Sequence, residues 1–333
     1  MKPIIIKSRE YPIEIKKLEV LQRRAKLNEV TMEKIQSEIR KREAGYQGEK
    51  RLDYFLSLVT RDNFYILNNL RLKDGDHAFE IDTVIVTSYF ILLIDAKNYS
   101  GGLYFDQKLK ECIRTYKDLF ESIQDPLSQA FLHNYQMRNF WKINKLITLP
   151  ILSLVIVTHS STTISTNPDL EKELNQKVIH ANHLIERLEE LFKAYPNRRL
   201  TEKQTRDISY RLLENHTPRE PKILEKYHID LTTIIPGVQC PCCSAKMLWK
   251  SAKWHCTKCK TTSKNAHEQA IYDYLLLYKS ISTSECQKFL GIQSKFTTKR
   301  LLDSLGLKKL GNTYAQRYTL PDDYAEKTPN LIR

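Results

Sequence analysis

Two neighbouring segments place acids where a buried strand would otherwise carry apolar side chains. In Ala78-Phe-Glu-Ile-Asp-Thr-Val-Ile-Val-Thr87, alternation sets Glu80, Asp82, Val84 and Val86 on one face. In Tyr89-Phe-Ile-Leu-Leu-Ile-Asp-Ala-Lys97 it sets Asp95 and Lys97 on the face of Ile91 and Leu93. A hairpin with an even-numbered loop near Ser88-Tyr89 puts Asp82 opposite Asp95, with Cβ atoms about 5 Å apart. Carboxylates that close repel unless a divalent cation sits between them. The set suits metal-dependent phosphodiester cleavage. The acids hold Mg²⁺ or Mn²⁺, and Lys97 orients the attacking water or meets the developing negative charge. The plainer reading of the same spacing is an Asp95–Lys97 ion pair at a strand end, with Asp82 facing solvent.

A second constellation lies near the C-terminus. Of seven cysteines, five fall between residues 240 and 259. Cys240-Pro-Cys-Cys243 and Cys256-Thr-Lys-Cys259 are two C-x₂-C pairs, and each such turn presents two sulfurs to one centre. Four thiolates suit a tetrahedral, structural Zn²⁺ with no position left for water. Cys242 could replace Cys243, and His255 could replace a thiol. The segment between the pairs reads as two short strands, and the whole resembles a zinc ribbon. Lys246, Lys250 and Lys253, interleaved with Trp249 and Trp254, suit phosphate contacts and base stacking. Alternatively, each Trp covers a small core. An odd number of clustered cysteines excludes a secreted disulfide scaffold.

The elements that must position the carboxylates follow from periodicity. Strand-like runs cover 64–72, 78–87, 90–97, 102–105, 111–116 and 151–158. A helix is expected from Asp125-Pro126 to about Lys145. Leu52, Phe55, Leu56 and Val59 form a helical stripe after Gly45 and Gly48, and residues 180–213 are helical again. Residues 1–44 read as a helical extension without catalytic groups, with Thr31 capping a second helix. Residues 214–238 read as a proline-containing linker.

Three blocks, Gly45-Tyr-Gln-Gly-Glu49, Glu80-Ile-Asp82 and Ile94-Asp-Ala-Lys-Asn-Tyr-Ser-Gly101, resemble the nuclease-related domain (NERD) family. That family is similar to the PD-(D/E)xK nucleases. The resemblance implies a restriction-endonuclease-like α/β fold, a mixed sheet flanked by helices. It also implies an active site of Glu49, Asp82, Asp95 and Lys97, with Asp82 and Asp95 as metal ligands and Glu49 as the helix-borne acid. Gln129 and Gln136, on the helix opened by Asp125-Pro-Leu-Ser-Gln129, turn toward it. The sequence departs from the family in two places: Asp95 stands where Glu is expected, and Glu80 where Gln is frequent.

Residues 265–320 resemble a winged helix. Helix 267–279 precedes a Ser282-Thr-Ser-Glu285 capping box and a helix ending at Gly291. A third helix, 294–305, presents Lys295, Thr297, Thr298 and Arg300 outward, with Phe296, Leu301 and Leu305 inward. A hairpin at Gly311-Asn312 carries Lys308, Lys309 and Arg317 toward phosphates. The net charge of +14 makes polyanions the leading partners. Residues 240–317 hold fourteen basic against four acidic side chains.

The expected layout is therefore an extension at 1–44, a nuclease-related domain at 45–213, a linker at 214–238, a zinc ribbon at 239–262 and a winged-helix-like α+β tail at 265–320. The expected protein is cytoplasmic, without a membrane span or signal peptide. It binds and cleaves DNA with Mg²⁺ or Mn²⁺ and carries structural Zn²⁺. The alternative is a non-catalytic DNA-binding or regulatory protein on a decayed nuclease fold.

Overall fold

The computed structural model describes residues 2–312, 315–321 and 324. The chain forms two compact units, Met1–Glu10 with Glu43–Glu220 and Tyr11–Arg42 with Pro221–Arg333. It opens with strand β1 (Ile4–Lys7), then helices α1 (Ile13–Arg24) and α2 (Glu29–Ser57).

The first unit continues with β2 (Tyr65–Asp74), β3 (His77–Val86), β4 (Ile91–Lys97), β5 (Gly102–Asp106), β6 (Glu111–Tyr116) and β7 (Leu119–Ile123). Helix α3 (Pro126–Ile143), β8 (Ile151–Val157), β9 (Thr163–Thr166), α4 (Glu171–Lys177), β10 (Val178–His180), α5 (Leu184–Ala194) and α6 (Glu202–Glu214) complete it. Six strands form a mixed sheet in the order β1-β2-β3-β4-β8-β10. A four-stranded sheet, β7-β6-β5-β9, lies beside it in sequence.

Alternation divides the six-stranded sheet into two buried faces. Val84, Val86, Ile91 and Leu93 pack with Met137 and Phe140 of α3 and Ile208 and Leu212 of α6. Ile66, Ile85, Leu92 and Ile94 pack with Leu52 and Leu56 of α2 and Leu184 and Leu188 of α5. This is the expected mixed α/β architecture flanked by helices. Asp125 caps α3, accepting from the backbone N–H groups of Leu127 and Ser128, ahead of Pro126 at the first helical position.

The first ten residues differ from a helical extension. The β-branched run Ile4-Ile5-Ile6 pairs in parallel with β2. Helix α2 also runs unbroken through Gly45 and Gly48, where the sequence reads as two shorter helices. A glycine inside a helix costs about 1 kcal/mol, which the apolar burial of Leu52 and Leu56 offsets.

In the second unit, residues 221–234 are not an open linker. Helix α7 (Ile223–Lys226) and Ile234 bury against Leu18, Leu21 and Ile35. Arg24 and Asp273, both almost fully buried, pair at 2.6 Å, and Arg24 also donates to the Gly237 carbonyl at 2.9 Å. Strands β11 (Val238–Gln239), β12 (Lys246–Lys250), β13 (Lys253–Cys256) and β14 (Thr262–Ser263) form an antiparallel sheet. Helices α8 (His267–Tyr278), α9 (Thr283–Leu290) and α10 (Lys295–Asp303) follow. Strands β15 (Ser280–Ser282), β16 (Lys308–Leu310) and β17 (Arg317–Thr319) make a sheet ordered β15-β17-β16. Residues 313 and 314, between β16 and β17, lie outside the described residues. The Ser282–Glu285 capping box forms in both directions, and Gly291 closes α9 at φ +74°.

Candidate functional site

The site is a fork in the main sheet. Strands β3 and β4 pair from Val86–Ile91 to Thr83–Ile94 and no further. Asp82 and Asp95 are the next residues in register, opposite one another where the strands part. The Thr87 N–H donates to the Phe90 carbonyl at 3.1 Å, closing the turn that sets this register. Beyond the last pair, the Ala96 N–H would lose its ladder partner. The Asp82 carboxylate takes it, accepting through Oδ2 at 2.8 Å. Asp82 is thereby held across the gap toward β4.

The opposite flank of β3 is interrupted at the same level. Pairing with β2 passes from Asn68–Thr83 to Leu70–Ile81, omitting Asn69 and Asp82. Asn69 sits at φ +46°, a conformation asparagine tolerates better than most residues. The Asp82 carbonyl accepts instead from Arg9 Nη1 at 3.1 Å. Arg9, its side chain only 2 % exposed, is the hub of a network the sequence analysis did not anticipate. It binds Asp53 through Nε at 2.9 Å and Nη2 at 3.0 Å, and it donates to Glu49 Oε2. It also donates to Asn68 at 3.1 Å and to the Thr83 hydroxyl at 2.8 Å. Asn69 Nδ2 donates to Glu49 at 2.9 Å. The readable signal was the Ile4-Ile5-Ile6 run as a strand; the partners of the arginine after it were not readable.

Removing Arg9 strands two part-buried acids, and breaking buried pairs of this kind costs about 3–5 kcal/mol. Arg9→Ala is expected to lower stability by about 3 kcal/mol. Arg9→Lys should recover only part of this, because an ammonium cannot reproduce the two-pronged contact with Asp53. Denaturant unfolding of the three proteins checks the order.

Across the fork, Asp95 is buried and its Oδ2 lies 2.8 Å from Lys97 Nζ. Lys97 Nζ also donates to Gln129 Oε1 at 2.9 Å, tying β4 to α3. The structure therefore joins Asp95, Lys97 and Gln129 directly and links Glu49 to the Asp82 backbone through Arg9. No hydrogen bond among the described residues links Gln136 to them. His133, one turn beyond Gln129, feels the charges of Asp82 and Lys97, and burial lowers its pKa. The sequence analysis missed His133 as well.

The electrostatics follow from crowding. Burial, then the Asp82 charge, pushes Asp95 up to about 7. The same two causes push Glu49 up to about 7 against the pull of Arg9. Glu80 is raised for the same reasons. Burial works against charge on Lys97, but Asp95 holds its pKa above the usual lysine value. The three raised acids thus share one cause beyond burial, the charge of Asp82.

Gly48 explains how Glu49 reaches the fork. A Cβ at Gly48 would lie 2.5 Å from Asn98 Cβ and 2.6 Å from Thr158 Oγ1, whereas one at Gly45 would meet nothing within 4 Å. Gly48→Ala is expected to destabilise by about 1–3 kcal/mol through overpacking. Gly45→Ala should stabilise by about 0.5–1 kcal/mol through helix propensity. Thermal melts of the pair read opposite signs.

In the second unit, Cys240, Cys243, Cys256 and Cys259 place their sulfurs within 4.8 Å of one another. Two of the separations are 3.6 and 3.5 Å. Tetrahedral zinc with Zn–S of about 2.3 Å implies sulfurs about 3.8 Å apart. The Cys242, Lys258 and Cys259 N–H groups donate to these sulfurs at 3.4 Å. Cys242 is exposed outside the cluster, and His255 bonds the Lys250 carbonyl, so neither alternative ligand is used. The set fits a structural zinc site. Trp254 is fully buried and donates to His267 at 3.2 Å, so it is a core residue and not a stacking platform.

The winged-helix expectation needs three corrections. Thr298 is fully buried with its hydroxyl on the Ser294 carbonyl, while Phe296 is 80 % exposed. The inward stripe of α10 is Thr298, Leu301 and Leu302, because the i, i+3, i+4 spacing selects these three together. Lys309 pairs with Asp303 at 2.6 Å, and Arg317 with Glu285 at 2.8 Å and with Ser280, so both are engaged within the unit. Lys246, Lys250, Lys253, Lys295, Arg300 and Lys308 are exposed.

Comparison with known proteins bears on the segment that contains the fork. Residues 44–158 match the model of the nuclease-related domain, NERD, and that segment of the chain is a nuclease-related domain. The chain is also similar to an uncharacterized protein of Bacillus anthracis. The two are 24% identical over 187 residues, covering 56% of this chain and 82% of the relative. No solved structure gives a significant match. No helix among the described residues is long and apolar enough to cross a membrane.

Proposed function

We propose that the chain is a divalent-metal-dependent nuclease acting on DNA, with the fork between β3 and β4 as its active site. The observation that carries this reading is the placement of Asp82 and Asp95 across the fork with Lys97 on Asp95. Asp82 and Asp95 are the ligands for Mg²⁺ or Mn²⁺. When bound, the cation polarises the phosphate and acidifies an attacking water. Gln129 and Asp95 fix Lys97, which meets the charge that develops on the phosphate. Glu49, held by Arg9 and Asn69, is the third acid of the site, and Glu80 adds a fourth nearby. The zinc ribbon is structural, and with the winged-helix-like tail it supplies the nucleic-acid grip.

Incubation with a panel of labelled nucleic acids and Mn²⁺ tests the reading. Cleavage of DNA is expected, and the absence of any cleavage, together with no Mn²⁺ binding that Asp82→Ala removes, would refute it. DNA binding without cleavage or metal binding favours the second reading, a non-catalytic DNA-binding protein. The commitment of Glu49 to Arg9 is the observation on that side.

Replacement of Lys246, Lys250 and Lys253 with alanine tests the grip. Each lost phosphate contact lowers the slope of log affinity against log salt by about 0.9 on duplex DNA, so three contacts remove about 2.7. An unchanged slope would place the grip elsewhere.

A further inference from the structure

A cavity of about 590 Å³ opens in the first unit between α2, the end of β8 and residues 180–183. Its walls carry Arg51, His159, His180 and His183, with the rings of Tyr54 and Phe55 on one side. No carboxylate is among its lining side chains in the described residues. Glu186 stands outside, 3.4 Å from His183 Nδ1. Arg51 supplies the permanent positive charge and three imidazoles supply ring N–H donors, with burial and the neighbouring His183 holding the His180 pKa below the usual histidine value. With no acid in the lining this makes a site for an anion, and the volume admits one nucleotide.

The cavity adjoins the end of β4. Arg51 Nη1 donates to the Asn98 side chain at 3.0 Å, and Asn98 directly follows Lys97. The Thr158 N–H donates to the Lys97 carbonyl at 2.9 Å, and Thr158 also lines the cavity. Helix α2 carries Glu49 toward Arg9 and Asn69, and Arg51 and Tyr54, two and five residues further on, to the cavity.

We propose that this cavity is a phosphate-binding subsite. It holds a backbone phosphate of the nucleic-acid strand one step from the bond that the fork addresses, with Tyr54 and Phe55 offering a face to the attached base. Resting on the nuclease reading, the subsite sets how a strand lies across the ends of β4 and β8. Arg51 is its anchor, because its planar fork of donors matches a phosphate and the Asn98 contact holds it in place.

The test uses the full chain carrying Asp95→Asn, so that DNA is not cut, and fluorescein-labelled short DNA, single-stranded in one arm and duplex in the other. Arg51→Ala and His183→Ala, both at exposed positions, are each expected to weaken binding about tenfold. The salt slope should fall by about 0.7 per lost contact on single strands. Mn²⁺ binding, measured in the chain with Asp95 intact, should be unchanged by either substitution. Unchanged DNA affinity and slope in both variants would overturn the proposal. So would a parallel loss of Mn²⁺ affinity, since the effect would then travel through Asn98 to β4. Inorganic phosphate is expected to displace labelled DNA from the parent more readily than from Arg51→Ala, because both use the same donors. Phosphate that bound the parent through Arg51 without displacing DNA would make the occupant a free phosphate and overturn the strand assignment. If the native chain cuts no nucleic acid with Mn²⁺ and yet these variants bind DNA more weakly, the nuclease reading fails and the subsite stands.

Discussion

Asp95→Asn and Lys97→Ala are expected to reduce Mn²⁺-dependent DNA cleavage by about 10³-fold, with the fold intact. Asp95 is the buried acid of the pair across the fork, and an amide in its place cannot contribute the charge that holds a cation. Lys97 is locked by Asp95 and Gln129, so alanine removes a preorganised positive charge and leaves the strand in register. A Lys97→Ala protein that cut as fast as the native chain would assign the lysine to structure alone.

The same acids impose a pH dependence. Asp95 and Glu49 are both raised to about 7, from ordinary values of 3.8 and 4.5. The metal-free folded state therefore binds more protons than the unfolded state between about pH 4 and pH 7, and stability falls as pH rises through that window. A cation on the carboxylates relieves the repulsion and must displace those protons. Mn²⁺ is thus expected to bind more tightly at pH 8 than at pH 6, with proton release, and to raise the melting temperature more at pH 8 than at pH 5. Calorimetry in buffers of different ionisation enthalpy measures the protons released. A pH-independent Mn²⁺ affinity would show that the cation does not sit on these groups.

The second large effect concerns zinc. The purified chain is expected to hold about one Zn²⁺ on Cys240, Cys243, Cys256 and Cys259. Structural zinc contributes on the order of 10 kcal/mol to small metal-bound folds, and that binding energy is also folding energy. The consequence should extend beyond the four-stranded sheet. Val238, Cys240, Met247, Trp254 and Cys256 share one apolar cluster with Ile271 of α8, Phe289 of α9 and Leu302 of α10. Chelation, or Cys256→Ser, is therefore expected to shift Trp254 emission to longer wavelength and to lower the melting temperature of the three helices with the ribbon. Metal analysis showing no zinc, or retention of zinc in Cys256→Ser, would overturn the assignment. Cys242→Ser serves as the control, because its thiol lies outside the cluster.

Local pattern determined much of this protein. Alternation in 78–87 and 89–97, with a turn at Ser88-Tyr89, is enough to set Asp82 opposite Asp95, because side-chain facing and hairpin register are short-range properties. Two C-x₂-C turns suffice for a four-thiolate cluster, and a capping box or a glycine after a helix marks its boundary within a few residues. Contacts between distant segments were decided only by the tertiary structure. Arg9 looks like one more surface arginine in a basic sequence until β1 is laid beside β2. Asn69 and Thr83 are ordinary strand residues until the ladder breaks at Asp82 and needs donors and acceptors from elsewhere. The phase of α10, which buries Thr298 and exposes Phe296, depends on which side of that helix meets α9, and the amphipathic pattern was ambiguous by one residue. Short-range spacing thus carried the acids, the lysine and the thiols. The groups that hold the acids in place came from chain segments tens of residues away, which one-dimensional periodicity cannot connect.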